Sequence, residues 1–139
     1  MATFQKFNQF VEDLAKGVHN LSTGQLKVAL TNTAPVAANS VYADLTSVLP
    51  TTNLSGATPF NVTTTSAEQT SGTLSLVLVD LTLTATGSVG PFRYVVLYND
   101  TPTSPADPLI GFYDYGSSVT MANTETFLID FASTTITIA

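Results

Sequence analysis

The chain has 139 residues, and only 10% of them are charged, against roughly 25% in an average globular protein; Thr and Ser fill the gap. The formal net charge is −6, and the four bases Lys6, Lys16, Lys27 and Arg93 are scattered, which argues against the clustered cations that grip a nucleic-acid backbone. Without Cys there is no disulfide and no thiolate metal site, and no apolar run approaches the roughly 18 residues of a membrane span.

A chain of this length fits one domain, 1–139, able to bury about two-thirds of the surface its unfolded form exposes. At the amino end Thr3 suits an N-cap, and Phe4, Phe7, Val11, Leu14 and Val18 recur at spacings of three and four, with polar residues between them. This predicts an amphipathic helix over 3–20, ending where Gly17 and the His19-Asn20 pair favour an exit turn. Its apolar stripe can pack on the domain's own sheet or dock on a neighbouring subunit.

Residues 25–31 alternate, with Leu26, Val28 and Leu30 on one face and Lys27, Ala29 and Thr31 on the other, the pattern of a half-buried strand. Residues 32–40, around Pro35, read as loop; 41–49 fits either a single helical turn or a short edge strand; and 51–59 is a long polar loop. Strands are expected at 60–66, 72–79 and 81–86, with Asp80 marking a bend and serving as a charge on a strand edge. Residues 91–99 are apolar on both faces and form an inner strand. After a Pro-rich loop, strands resume at 109–115, 118–121, 126–131 and 134–138.

A helix followed by about eight short strands, with frequent turns and no helical crossover, predicts a mostly β chain folded as an antiparallel β-sandwich or jelly roll, its body spanning 25–139.

Chemistry-bearing patterns are sparse. His19 is the only imidazole; with no nucleophile motif beside it, its expected role is to hydrogen-bond the last helical carbonyls or water. Gly87 and Gly90 lack the helix and Lys of a phosphate loop, and Asp100, Asp107, Asp114 and Asp130 fall one per strand or turn rather than in a calcium-loop spacing. No catalytic, cofactor-binding or metal-ligating residue is therefore assigned. Tyr94, Tyr98, Tyr113 and Tyr115 are expected in the core, the alternative being an aromatic platform for a glycan. Arg93 and Asp114 suit an ion pair within the sheet.

Taken in order, FQKFNQFVEDLAKGVHNL, LKVALTNTAPVAANSV, GPFRYVVLYNDT, LIGFYDYGSSVTM and ETFLIDF resemble a family of small structural proteins of tailed bacteriophages and prophages, over nearly the whole chain. The resemblance implies a capsid decoration or cement protein, made in the host cytoplasm and carried on the capsid surface of the virion. Its partners would be the major capsid protein and copies of itself, as a homodimer or homotrimer, with neither nucleic acid nor membrane. Contacts are then expected at Phe4, Phe7 and Val11 of the helix and, in the loops, at Pro35, Leu54, Pro59 and Pro105. A tail, baseplate or fibre-associated protein would share the same body, and a carbohydrate-binding module would use the region of Tyr94 and Tyr113.

Overall fold

The computed structural model describes residues 3–132 and 135–138. Its elements are β1 (Phe4–Lys6), α1 (Asn8–Ala15), β2 (Leu26–Thr31), β3 (Asn61–Val62), β4 (Thr64–Thr70), β5 (Thr73–Leu78), β6 (Leu81–Thr84), β7 (Val89–Asn99), β8 (Leu109–Met121), β9 (Thr126–Ile129) and β10 (Ile136–Ile138). Every strand pair is antiparallel. A five-stranded sheet in the order β1-β8-β7-β2-β3 faces a layer made of a three-stranded sheet, β10-β5-β4, and a two-stranded one, β6-β9. The chain is thus a mostly β antiparallel sandwich, with ten described strands where about eight were expected. None of the described helices is long and apolar enough to cross a membrane.

The alternating side chains Leu26, Val28 and Leu30 of β2, Val95 and Leu97 of β7, and Ile110 of β8 meet Leu76 and Leu78 of β5, Leu83 of β6, Ile129 of β9 and Ile136 of β10 in one core. Such burial stabilises by about 1.5–3 kcal/mol for each large apolar side chain. The opposite face of the same sheet is buried too. There Ala29, Tyr94, Val96, Tyr98 and Phe112 pack with Phe7 beneath Tyr42, Leu45 and Val48. The reading of β7 as an inner strand holds. The half-buried reading of β2 does not, because residues 42–48 cover its second face.

That cover is irregular. A 3-10 turn at Tyr42–Asp44 is followed by a bridge between Val48 and Thr31, so both readings of this stretch hold in part. Main-chain bonds pin it: Leu49 N–H donates to Leu30 O at 2.8 Å, and Tyr42 N–H donates to Asp107 O at 2.9 Å. The Thr31 hydroxyl donates to Thr46 O at 2.7 Å.

The amino end departs most from expectation. The helix occupies only Asn8–Ala15, because Phe4–Lys6 pairs with the free edge of β8 and Phe7 N–H donates to Ile110 O at 3.1 Å. Thr3 caps nothing helical; Phe7, in an extended conformation, precedes the first turn. Phe7 and Leu14 of the expected stripe still pack on the body, joined by Phe10 and Asp13, while Val11 faces out. The predicted exit is correct. Gly17, at φ +77, ends α1 with Gly17 N–H donating to Leu14 O and Val18 N–H to Asp13 O, the paired bonds of a Schellman turn.

Other boundaries shift as well. Residues 60–66 divide between β3 and β4, which lie in different sheets, and 109–121 form one strand rather than two. Within that strand the pairing jumps from Phe92–Val119 to Tyr94–Asp114, so four residues of β8 oppose Arg93 alone. This bulge is why Phe92 enters the sandwich core while Tyr94, two residues on, faces the other way. Asp80 lies at the expected bend, but its carboxylate accepts Phe131 N–H at 2.9 Å and so ties a turn instead of guarding an edge. The expected last strand begins at Thr134, outside the described residues.

Candidate functional site

The side chains proposed for contacts separate into two groups. Phe7 is 0% exposed and Leu54 8%, the latter bridged to Ala85, so both belong to the interior and leave the list of contact residues. Phe7 is sequestered because the chain enters α1 directly above β8, against Phe112. Phe4 is half-buried, its ring edge-on to Tyr113 at 5.2 Å. Val11, at 52% exposure, faces solvent, and so does Val36 at 57%, one residue beyond Pro35. Pro35 and Pro59 are half-buried and Pro105 is exposed.

Two of these prolines border depressions. Pro105 meets Gln9 and Asp13 of α1, Lys16 just after it, and Ser40 and Val41 around a space of about 300 Å³. Pro59 lies with Pro50, Phe60, Tyr42, Tyr98 and Lys27 around a space of about 240 Å³. The second depression adjoins a place where the fold gathers several ionisable side chains from distant positions. Lys27 Nζ lies 3.1 Å from Asp100 Oδ2, and the Tyr42 and Tyr98 rings stand 4.9 Å apart. Burial, and then the field of Asp100, pushes the Asp107 carboxyl above the usual carboxylate range. Burial also raises the Tyr98 hydroxyl, with Tyr42, Asp100 and Asp107 adding to it.

This group was not legible in the sequence. Lys27, Tyr42, Asp100 and Asp107 come from a strand, a turn and both ends of a loop, and no spacing connects them. The one available signal was Lys27, a rare cation on the face of β2 that otherwise carries Ala29 and Thr31. Chemically, the cluster pairs Lys27 with Asp100 and sets the Asp100 and Asp107 carboxyls against each other. It presents no nucleophile activated by a base, and among the described residues no group of three or more His, Asp or Glu is placed to hold a metal ion.

The tyrosines expected in the core are there. Tyr94, Tyr98 and Tyr113 are buried and Tyr115 is half-buried, which removes the exposed row required by a glycan platform on β7 and β8. Burial raises the Tyr113 hydroxyl and pushes that of Tyr115 up to about 12. Arg93 and Asp114 form the expected ion pair, with Nε donating to Oδ1 at 2.7 Å and Nη2 to Oδ2 at 3.1 Å. The guanidinium holds the Asp114 carboxyl below its usual range.

His19 is placed differently from its expected role. It lies at 6% exposure beneath the Phe10 ring, and its Nδ1 faces Asn99 Nδ2 at 3.2 Å, so its partner is a strand side chain rather than a helical carbonyl or water. The turn of 17–24 folds back over the end of β7 and carries the imidazole there. No family model matches the chain, nor does any curated protein or solved structure with which it was compared.

Proposed function

We propose that this chain is a non-enzymatic structural protein of a tailed-bacteriophage particle, a cement or decoration protein that binds the major capsid protein on the outer shell as a homodimer or homotrimer. The observation that carries the reading is the surface. It is poor in charge, and large apolar side chains stand exposed on separate elements: Val11 on α1, Val36 in the loop after Pro35, Val79 after β5 and Leu128 on β9. A body touched by neighbours on several sides has this character, because desolvating Thr, Ser and Val costs less than desolvating charges. The resemblance of the five sequence stretches to virion proteins supports the same reading.

The test is imaging of purified particles with and without the protein. Density on the outer shell that disappears with the protein agrees with cementing, whereas density confined to the tail replaces it with the tail or baseplate reading. Val11 and Val36 lie on the surface, so Val11→Asp and Val36→Asp are expected to leave folding intact. Each is expected to reduce particle occupancy at least tenfold, since burying one unpaired carboxylate costs more than the roughly 1.4 kcal/mol that a factor of ten represents. Full occupancy by both variants would remove these two sites from the interface.

One observation favours a second reading. The depression bordered by Phe60, Tyr42 and Tyr98 also presents Lys27 and Asn61, so rings and hydrogen-bonding groups meet there as a neutral sugar would require. Titration with glucose, galactose and N-acetylglucosamine, followed by NMR, tests it: unmoved signals at Tyr42 and Lys27 dispose of the sugar.

A further inference from the structure

We propose that the His19–Asn99 pair is an acid-sensitive latch that holds residues 8–24, the helix and its exit turn, against the end of the main sheet. The inference is independent of the virion reading and rests on the direction of two hydrogen bonds. Asn99 Oδ1 accepts Thr101 N–H at 3.1 Å, which fixes the carboxamide and leaves its Nδ2 facing His19 Nδ1 at 3.2 Å. Nδ2 is a donor, so Nδ1 must be the acceptor. The ring is therefore neutral, with its proton on Nε2, an atom that is buried and has no partner among the described residues.

A second proton on the ring goes to Nδ1 and sets two donors face to face. Asn99 cannot relieve this by turning its amide, because its NH2 would then confront Thr101 N–H. Nor can the turn shift aside easily. A Cβ on Gly24 would stand 3.0 Å from both Asn99 Oδ1 and Nδ2 and 2.7 Å from Asn20 O, so the strand side chain and the turn are already in close contact. Gly24 N–H donates to Asn20 O at 2.8 Å, and Gln25 N–H to the Thr101 hydroxyl at 2.8 Å, which links the turn to the loop after β7. Accepting the proton thus requires the turn to leave Asn99.

The groups facing the imidazole determine which way pH acts. From α1 come the Phe10 ring and Asp13; from β7 comes Asn99; and the space of about 370 Å³ beside His19 is bordered by Leu14, Leu21, Ala67 of β4 and Leu74 of β5. Asp13 is the one charge in this set, and it favours the imidazolium. Burial opposes it and prevails, so the His19 pKa lies below its ordinary value of 6.5. The opened chain therefore binds the proton more readily than the closed one. The latch acts fully above about pH 6.5 and weakens as the pH falls below that value, its opening constant rising by up to about tenfold per pH unit. Opening uncovers Phe10 and Leu21, two side chains of the sandwich core, next to a depression that already admits solvent.

Hydrogen exchange of the full chain at about pH 7.5 and about pH 5, corrected for the intrinsic rates, reads the latch directly. The amides of Val18 and Gly24 are expected to lose protection at the lower pH, while those of Val96 and Leu97 on β7 keep theirs. His19→Gln retains an acceptor without a titrating ring and should abolish the difference; a difference that survives the substitution assigns it to carboxylates and overturns the proposal. Should this variant fold poorly, nitrogen NMR of His19 in the native chain decides. A proton on Nε2 and a depressed titration support the latch, and a proton on Nδ1 or an ordinary titration rejects it.

Discussion

The two faces of the five-stranded sheet are buried by different means. On the sandwich side, leucines, valines and isoleucines from β2, β7 and β8 meet those of β5, β6, β9 and β10, and the contact depends on strand pairing between segments far apart in sequence. On the covered side, three rings, Tyr94, Tyr98 and Phe112, lie beneath a segment with one 3-10 turn and one bridge, held mainly by main-chain bonds to its neighbours. Lys27, Asp100 and Asp107 gather at the end of that side. The first face is apolar and regular; the second mixes rings with ionisable groups under an irregular cover.

The contrast is broken or sharpened most strongly at Phe92. It is fully buried in the sandwich core with its ring edge-on to Phe127 at 5.1 Å, so Phe92→Ala is expected to cost about 3–5 kcal/mol. Urea unfolding should show a lower midpoint with a single transition, because nothing on that face can yield alone. Two separated transitions would mean that the sandwich layers are independent of each other.

A smaller and more local effect is expected at Tyr42. Its ring closes the cover over Tyr98, but it is only half-buried and no strand depends on it. Tyr42→Ala should cost on the order of 1–2 kcal/mol. Hydrogen exchange should quicken at the amides of Asp44 and Leu49 while that of Leu97 is unchanged. Equal losses at all three would make the cover as integral as the core.

The same contrast explains how much of the molecule was legible in its sequence. Period-two alternation shows which residues of a strand share a face, and Leu26, Val28 and Leu30 were read correctly on that basis. It does not show whether a distant irregular segment covers the other face, so the alternation alone leaves Lys27, Ala29 and Thr31 on the open face of a half-buried strand. The start of the helix differs from its period for a related reason. Phe4, Phe7 and Val11 satisfy a helical period, yet the open edge of β8 offers backbone bonds to Phe4–Lys6, and tertiary pairing prevailed over local periodicity. Gly17 and the inner strand β7 were legible because each expresses a local requirement, a left-handed residue in one case and two apolar faces in the other. His19 with Asn99, and Lys27 with Asp100, join positions that no spacing relates.

The smallest effect is expected at Asp107, where the covered face meets the loop after β7. Its φ of 51° lies in the left-handed region, which Asn tolerates at least as well, and the bond from Tyr42 N–H goes to its main-chain oxygen. Asp107→Asn therefore alters the charge and leaves the geometry in place. Burial and Asp100 raise the carboxyl's pKa in the folded chain above the unfolded value, so its stabilising contribution is complete only below the unfolded value and is lost as pH rises through the folded one. At neutral pH the ionised side chain works against the cover, and Asp107→Asn should raise the urea midpoint slightly, with the gain shrinking as the pH approaches 4. The sign is opposite to that of His19, although the two sites meet at the adjacent residues Asn99 and Asp100. Acidification thus tightens one end of the loop while it loosens the turn beside it, and with Asp107 replaced the fall of the urea midpoint on acidification should be steeper than in the native chain. If Asp107→Asn gains nothing at neutral pH, repulsion at the loop is not what limits the cover, and its weakness lies in its irregular packing alone.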